Sequence, residues 1–280
     1  MSSLAFIIVL FAAVFHATWN FYTKKSVANK IVLLWAAQLL TGILLFPFAY
    51  YFSQGISSDV FEFFIITSIV HAIYVFLLGS AYELGGISVV YPISRGVGIA
   101  GTVAMATFIG IDSLTLIGFL GIGSILCGTI FIGSDKAKSL HSQQVFLISL
   151  LVGFSVAAYS VIDKMAMAHA PPFLFVCGLH VGSSFLLSFW VMAKKRNEAL
   201  EVLSNHKLYA IGIGLAGLST YGLILWVFQS SPASYVVALR ETSILFATLL
   251  GVLVLKESFS RGKAIGVTLI VIGAVLVKFA

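Results

Sequence analysis

Val90-Tyr91-Pro92-Ile93-Ser94-Arg95-Gly96-Val97-Gly98 places an arginine inside a stretch otherwise apolar enough to lie in a membrane. A charge near the middle of a bilayer costs about 2.5–3.5 kcal/mol on insertion scales, so Arg95 must face a polar cavity, a partner side chain or a substrate. Pro92, three residues earlier, removes one helical hydrogen bond and frees a carbonyl, while Gly96 and Gly98 thin the helix beside the arginine. The run predicts a kinked helix that carries a buried cation to a site. A second arginine stands in a similar setting, Ala238-Leu239-Arg240-Glu241-Thr242-Ser243.

Working outward, the whole chain shares the character of this run. Of its 280 residues, 60% are hydrophobic and only 9% charged, with a mean hydropathy of +1.09. Soluble domains carry about 25% charged residues, so the composition is that of an integral membrane protein. The net charge of +6 sits in short loops between apolar segments and reports orientation in a membrane rather than an affinity for nucleic acid. Cys127 and Cys177 both lie in apolar stretches, which implies packing rather than a disulfide framework. Residues 1–23 lack the basic start of a secretory signal and are as long as a membrane span, so they are expected to form the first helix.

Apolar stretches of about 20 residues predict ten spans, at 3–23, 31–52, 61–82, 86–109, 114–133, 145–167, 172–193, 207–229, 233–255 and 261–279. The longest polar connections, 134–144 and 194–207, are too short for a soluble module. An offset of 145 residues superposes Arg95 on Arg240, Ile99 on Ile244, Asp112 on Glu257, Ser113 on Ser258, Gly121 on Gly266, Ile125 on Ile270 and Gly128 on Gly273. An offset of 140 brings Asn20 to Ser160 and Lys24 to Lys164. Two repeats of five spans each, residues 1–140 and 141–280, must enter the membrane in opposite senses, because five is odd. The expected fold is therefore all-α, ten transmembrane helices in two inverted five-helix repeats, with a site near the midplane between them.

These features resemble the EamA family of the drug/metabolite transporter superfamily. Each half ends in an acidic residue followed by Gly-x-x-x-Ile-x-x-Gly: Asp112 with Gly121, Ile125 and Gly128, then Glu257 with Gly266, Ile270 and Gly273. His16-Ala17-Thr18-Trp19-Asn20 with Lys24, and Tyr91-Pro92-x-x-Arg95-Gly96, look like a subset of that family. Asp112 departs from the more usual glutamate of the first half. The resemblance covers essentially the whole chain and implies a carrier of small metabolites such as amino acids, sugars or nucleotide precursors, without singling out one. It also implies cytoplasmic termini. The lysines and arginines say otherwise: loops after spans 1, 5, 7 and 9 hold Lys24, Lys25, Lys30, Lys136, Lys138, Lys194, Lys195, Arg196, Lys207, Lys256, Arg261 and Lys263, against Lys164 and Lys278 opposite. By the positive-inside rule both termini are expected outside the cell (inner) membrane.

On span 1, His16, Asn20 and Lys24 recur at helical spacing beside Trp19 and predict a polar face lining a cavity. The alternative for His16 and Asn20 is hydrogen bonding between helices, and for Lys24 a snorkelling end residue. Ser155, Tyr159 and Asp163 form a matching stripe on span 6, from which Asp163 is expected to face the arginines or to sit beside Lys164 at the interface. His71 and His180 lie at mid-membrane depth as proton relays or packing residues. Arg240 and Glu241, adjacent on one helix, point about 100° apart and each needs another partner. The candidate substrate-binding set is Arg95, Tyr91, His16, Trp19, Asn20, Tyr159, Asp163, Arg240 and Glu241, with Arg95 on the substrate and Arg240 in a network with Glu241. The glycines and 24 phenylalanines are expected to serve packing and lipid contact.

No metal cluster, nucleophile motif or phosphate loop stands in the sequence, and no cofactor is expected. The reading is a secondary transporter moving a small polar, anionic or zwitterionic metabolite by alternating access. Its expected partners are that substrate, the lipid bilayer and protons as a candidate coupling ion, in a monomer or weak dimer. A flippase for a lipid-linked or amphipathic substrate is the main rival. An intramembrane enzyme is the lesser one, since the few acids do not form a recognisable catalytic pair.

Overall fold

A computed structural model of the chain describes residues 1–53, 58–84, 87–134, 143–253 and 259–280. Glu257, Ser258, Lys256, Lys136 and Lys138, used in the repeat and charge arguments, lie outside the described residues. The elements are α1 (Ser3–Lys25), α2 (Lys30–Phe52), α3 (Ser58–Leu84), α4 (Ile87–Phe108), α5 (Leu116–Ser134), α6 (Gln143–Ala166), α7 (Pro172–Lys194), α8 (Arg196–Asn205), α9 (Lys207–Phe228), α10 (Ala233–Arg240), α11 (Ser243–Leu253) and α12 (Arg261–Phe279). The chain is a membrane protein, all-helical among the described residues. Among the described residues, seven helices are long and apolar enough to cross a bilayer: α1, α2, α3, α6, α7, α9 and α12.

Local chemistry sets the ends of these helices. Ser2 caps α1 by accepting from the Ala5 amide at 3.1 Å, Asn29 caps α2 from Val32 at 3.1 Å, and Ser260 caps α12 from Lys263 at 3.1 Å. Each removes an amide that the first turn would leave unpaired. Lys24 and Lys25 close α1 where cations suit the carbonyl end of a helix. Pro172 opens α7, where its missing N–H costs nothing.

Nine predicted segments coincide with single helices to within three residues at either end. Two places differ. The connection at 194–207 contains α8, a short helix that buries Ala199 and Val202. The predicted span 233–255 is divided: α10 ends at Arg240, and the next amides bond three residues back instead of four, Glu241 to Ala238, Thr242 to Leu239 and Ile244 to Glu241, at 2.9–3.0 Å. The backbone tightens to a 3₁₀ turn without any proline or glycine. Pro92, by contrast, sits within a continuous α4.

The helices pack in matched pairs. α1 lies on α9 as α3 lies on α6, α2 lies on α9 as α3 lies on α7, and α2 and α7 pack against each other. α5 and α12 run antiparallel with glycine set against glycine. A Cβ on Gly128 would come within 2.6 Å of the Gly266 carbonyl, and one on Gly273 within 2.5 Å of the Gly121 carbonyl. Small residues let these backbones touch where lipid offers no competing gain. Gly128→Ala should lower stability by about 1–3 kcal/mol, because the obstacle is backbone and cannot rotate away. Thermal unfolding in detergent would measure this, and wild-type melting would show that the two helices can separate freely.

Candidate functional site

Every residue of α10 is buried, so the arginine at its end arrives in the middle of the protein. α10 is held there from its first turn. Asp112, in the turn between α4 and α5, accepts from the amides of Ala233 at 3.0 Å and Ser234 at 2.8 Å and from the Ser234 hydroxyl at 2.7 Å. One carboxylate thus satisfies amides that open the helix, and negative charge suits that end of the dipole. The Tyr235 hydroxyl accepts from the Thr115 amide at 2.9 Å, tying the same two segments together. At the far end, the break after Arg240 places the cation on a helix C-terminus and Glu241 ahead of the next N-terminus, the favourable sign at both.

The break also changes who meets whom. A continuous helix would point Arg240 and Glu241 apart, but the tightened turn brings Arg240 Nε within 3.6 Å of Glu241 Oε1. The same oxygen lies 3.5 Å from Arg95 Nη1. Arg95 Nη2 donates to His16 Nε2 at 2.8 Å, and its guanidinium lies 4.9 Å from the centre of the Tyr91 ring. Arginine has only donors, so Nε2 must be the lone-pair nitrogen of His16. Arg95 is therefore engaged on three sides. Gly98 and Gly101 do not open space around it. They bring α4 against Val156 and Ala157 of α6.

Arg240 differs. Its Nη1 donates to the Tyr159 hydroxyl at 3.5 Å, while Nε and Nη2 make no hydrogen bond among the described residues. Glu241 Oε2 is likewise without one. Arg240 and Glu241 are 2% and 0% exposed, so these are buried, unspent hydrogen-bonding groups of the kind that cost several kcal/mol unless something meets them. Two guanidinium groups share one carboxylate, leaving the cluster one positive charge in excess.

Arg240 forms part of the wall of a cavity of about 90 Å³. α1 contributes His16 and Trp19, α3 His71 and Tyr74, α6 Tyr159, α7 His180, and α9 Thr220 and Tyr221. Tyr159 anchors an aromatic cluster, with ring centres 4.2 Å from His71, 5.3 Å from Tyr74 and 5.6 Å from Tyr221. His180 Nδ1 lies 3.0 Å from the Thr41 hydroxyl. Leu34 and Ile213 extend the lining to about 6 Å and 9 Å from the starts of α2 and α9 at 1.5 Å per residue, so the cavity runs from mid-bundle toward the basic loops.

Of the nine residues singled out in the sequence, His16, Trp19, Tyr159 and Arg240 line this cavity. Arg95, Tyr91 and Glu241 lie behind that wall in the charge cluster. Asn20 is also outside the lining: it donates to the His16 carbonyl at 2.8 Å and accepts from the Tyr82 hydroxyl at 3.3 Å. Asp163 does not face the arginines. Its two oxygens accept from Thr67 and Tyr221. Arg95 is thus engaged behind the cavity wall, while Arg240 keeps its expected contact with Glu241 and also lines the cavity. His71 and His180 reach the cavity, as do Tyr74 and Tyr221, which carry no spacing signal of their own. Lys164 turns away to the carbonyls of Phe228 and Ser231.

The sequence model of the EamA-like transporter family matches residues 144–279. The comparison with curated proteins returns no match. Among solved structures, one described as "Crystal structure of protein" superposes with a TM-score of 0.77 at 18% identity, covering 100% of this chain and 98% of that one. At that identity the likeness is one of fold alone.

Proposed function

We propose that this chain, whose residues 144–279 match the model of the EamA-like transporter family, is a member of that family and a secondary transporter of a small anionic or zwitterionic metabolite. The observation that carries this reading is Arg240, buried, on the wall of the cavity, with two nitrogens that make no hydrogen bond among the described residues. A buried guanidinium with N–H groups not spent on hydrogen bonds, in an aromatic-lined site, suits a carboxylate or phosphate, which it holds by two parallel bonds. Trp19, Tyr74, Tyr159 and Tyr221 would then enclose the body of the substrate.

The matched helix pairs support two inverted repeats of five spans, with α10 and α11 together serving as the ninth. α4, carrying Arg95, and the shorter apolar stretch of α5 complete ten. The repeats would move against each other around the fixed site, exposing it to alternate sides.

With the basic loops in the cytoplasm, both termini are outside and the cavity runs toward the cytoplasmic ends of the helices. In a variant lacking Cys127 and Cys177, a cysteine at Ser53 should react with an impermeant thiol reagent added to intact cells, and one at Lys195 should not. The reverse pattern would put the termini inside. For the transport reading itself, purified protein should be screened by thermal shift against a metabolite library. Anions that fit raise apparent stability by RT ln(1 + [L]/Kd), about 2.7 kcal/mol at one hundred times Kd. Stabilisation by lipids alone would overturn the reading in favour of a flippase.

A further inference from the structure

Asp163, on α6, is 0% exposed and 24 residues of helix contain no cation that faces it. Its Oδ1 accepts from the Thr67 hydroxyl of α3 and its Oδ2 from the Tyr221 hydroxyl of α9. The other titratable and charged groups near its packing neighbours are turned elsewhere. On its own helix, Lys164 reaches the Phe228 and Ser231 carbonyls, and Tyr159 meets Arg240. On α3, His71 lies behind Thr67, its Nδ1 3.2 Å from the Thr67 hydroxyl, and Tyr74 meets the Tyr159 ring. On α4, Arg95 is spent on His16 and Glu241, and Tyr91 lies against Arg95 and Ser243. On α10, Arg240 points to Tyr159 and Glu241, and Tyr235 meets Thr115. The carboxyl group is thus enclosed by two neutral hydroxyls, with no ion pair among the described residues, in a setting where an intramembrane acid marks a candidate functional site.

We propose that Asp163 is a proton-binding site that governs the clasp between α3 and α9, resting on the transport reading above. As a carboxylate it accepts from both hydroxyls and stitches the two helices to α6. When a proton from water binds one oxygen, an O–H bond forms at Asp163, no electrons transfer, and that oxygen becomes a donor. Where that O–H donates to the hydroxyl facing it, the hydroxyl turns to accept, so one of the two bonds reverses direction and the clasp loses its symmetry. Release of the proton to water restores it. Tyr221 and His71 both line the cavity, which connects Asp163 to the substrate site through Tyr221 on one side and Thr67 on the other.

Infrared difference spectra of the purified protein, titrated between neutral and acid pH without substrate, would test this. A carbonyl band of a protonated carboxylic acid should appear on acidification, vanish in Asp163→Asn and persist in Glu241→Gln. Tyr221→Phe, which removes a single hydroxyl and keeps the ring, should keep the band but move its position, because the group loses one hydrogen bond. Absence of the band in wild type, or its loss in Glu241→Gln with retention in Asp163→Asn, would overturn the assignment. An unmoved band in Tyr221→Phe would overturn the clasp. Since no substrate is used, failure here leaves the anion-binding test untouched, and failure of that test leaves this titration readable.

Discussion

Arg95→Gln should unfold in detergent well below the wild-type temperature, with a loss of about 3–5 kcal/mol, the range seen when one partner of a buried ion pair is removed. Arg95 supplies three things at once: charge 3.5 Å from Glu241, a hydrogen bond to His16 at 2.8 Å, and a cation beside the Tyr91 ring. Glutamine replaces none of the charge, and Glu241 would be left with Arg240 Nε at 3.6 Å, a contact too long to count as a hydrogen bond. His16 would lose the donor that fixes its ring. Arg95→Lys should recover part of the loss, because an ammonium restores the charge but cannot reach both partners in one plane. Pairing Arg95→Gln with Glu241→Gln should also recover stability, since no carboxylate is then stranded. Wild-type melting of Arg95→Gln with lost substrate affinity would return the substrate role to Arg95.

Arg240→Gln should behave in the opposite way, keeping most of its stability and losing affinity for the stabilising anion by about one to two decades. A charge-assisted contact contributes about 1.5–3 kcal/mol, which sets that range. Folding should be largely spared because Glu241 keeps Arg95, and because Arg240 gives up only its 3.6 Å ion contact with Glu241, its Nε and Nη2 making no hydrogen bond among the described residues. The 3.5 Å bond to Tyr159 is long, and its loss is small. Arg240→Lys should bind nearly as poorly as Arg240→Gln, since Nζ offers no planar fork. Equilibrium binding and thermal unfolding on the same preparations would separate the two arginines. Unchanged affinity in both Arg240 variants would remove the substrate from this site.

The two arginines also mark where the sequence stopped being informative. By itself it determined that the chain is helical and membrane-embedded, and placed most helix ends to within three residues, because apolar length and capping chemistry are local properties. Its glycine pattern also marked the faces of α5 and α12 that touch, since small residues at fixed helical spacing can only serve close approach. Which arginine lines the cavity was decided by the tertiary structure. Arg95 found His16 and Glu241 across 79 and 146 residues of chain, and Asp163 found Thr67 and Tyr221 instead of a cation. Partners that far apart are chosen by how helices stack. The break at Glu241–Thr242 was hidden for the same reason. Neither proline nor glycine announces it, and the turn tightens where α10 is fully buried and its charged end has partners on other helices to meet.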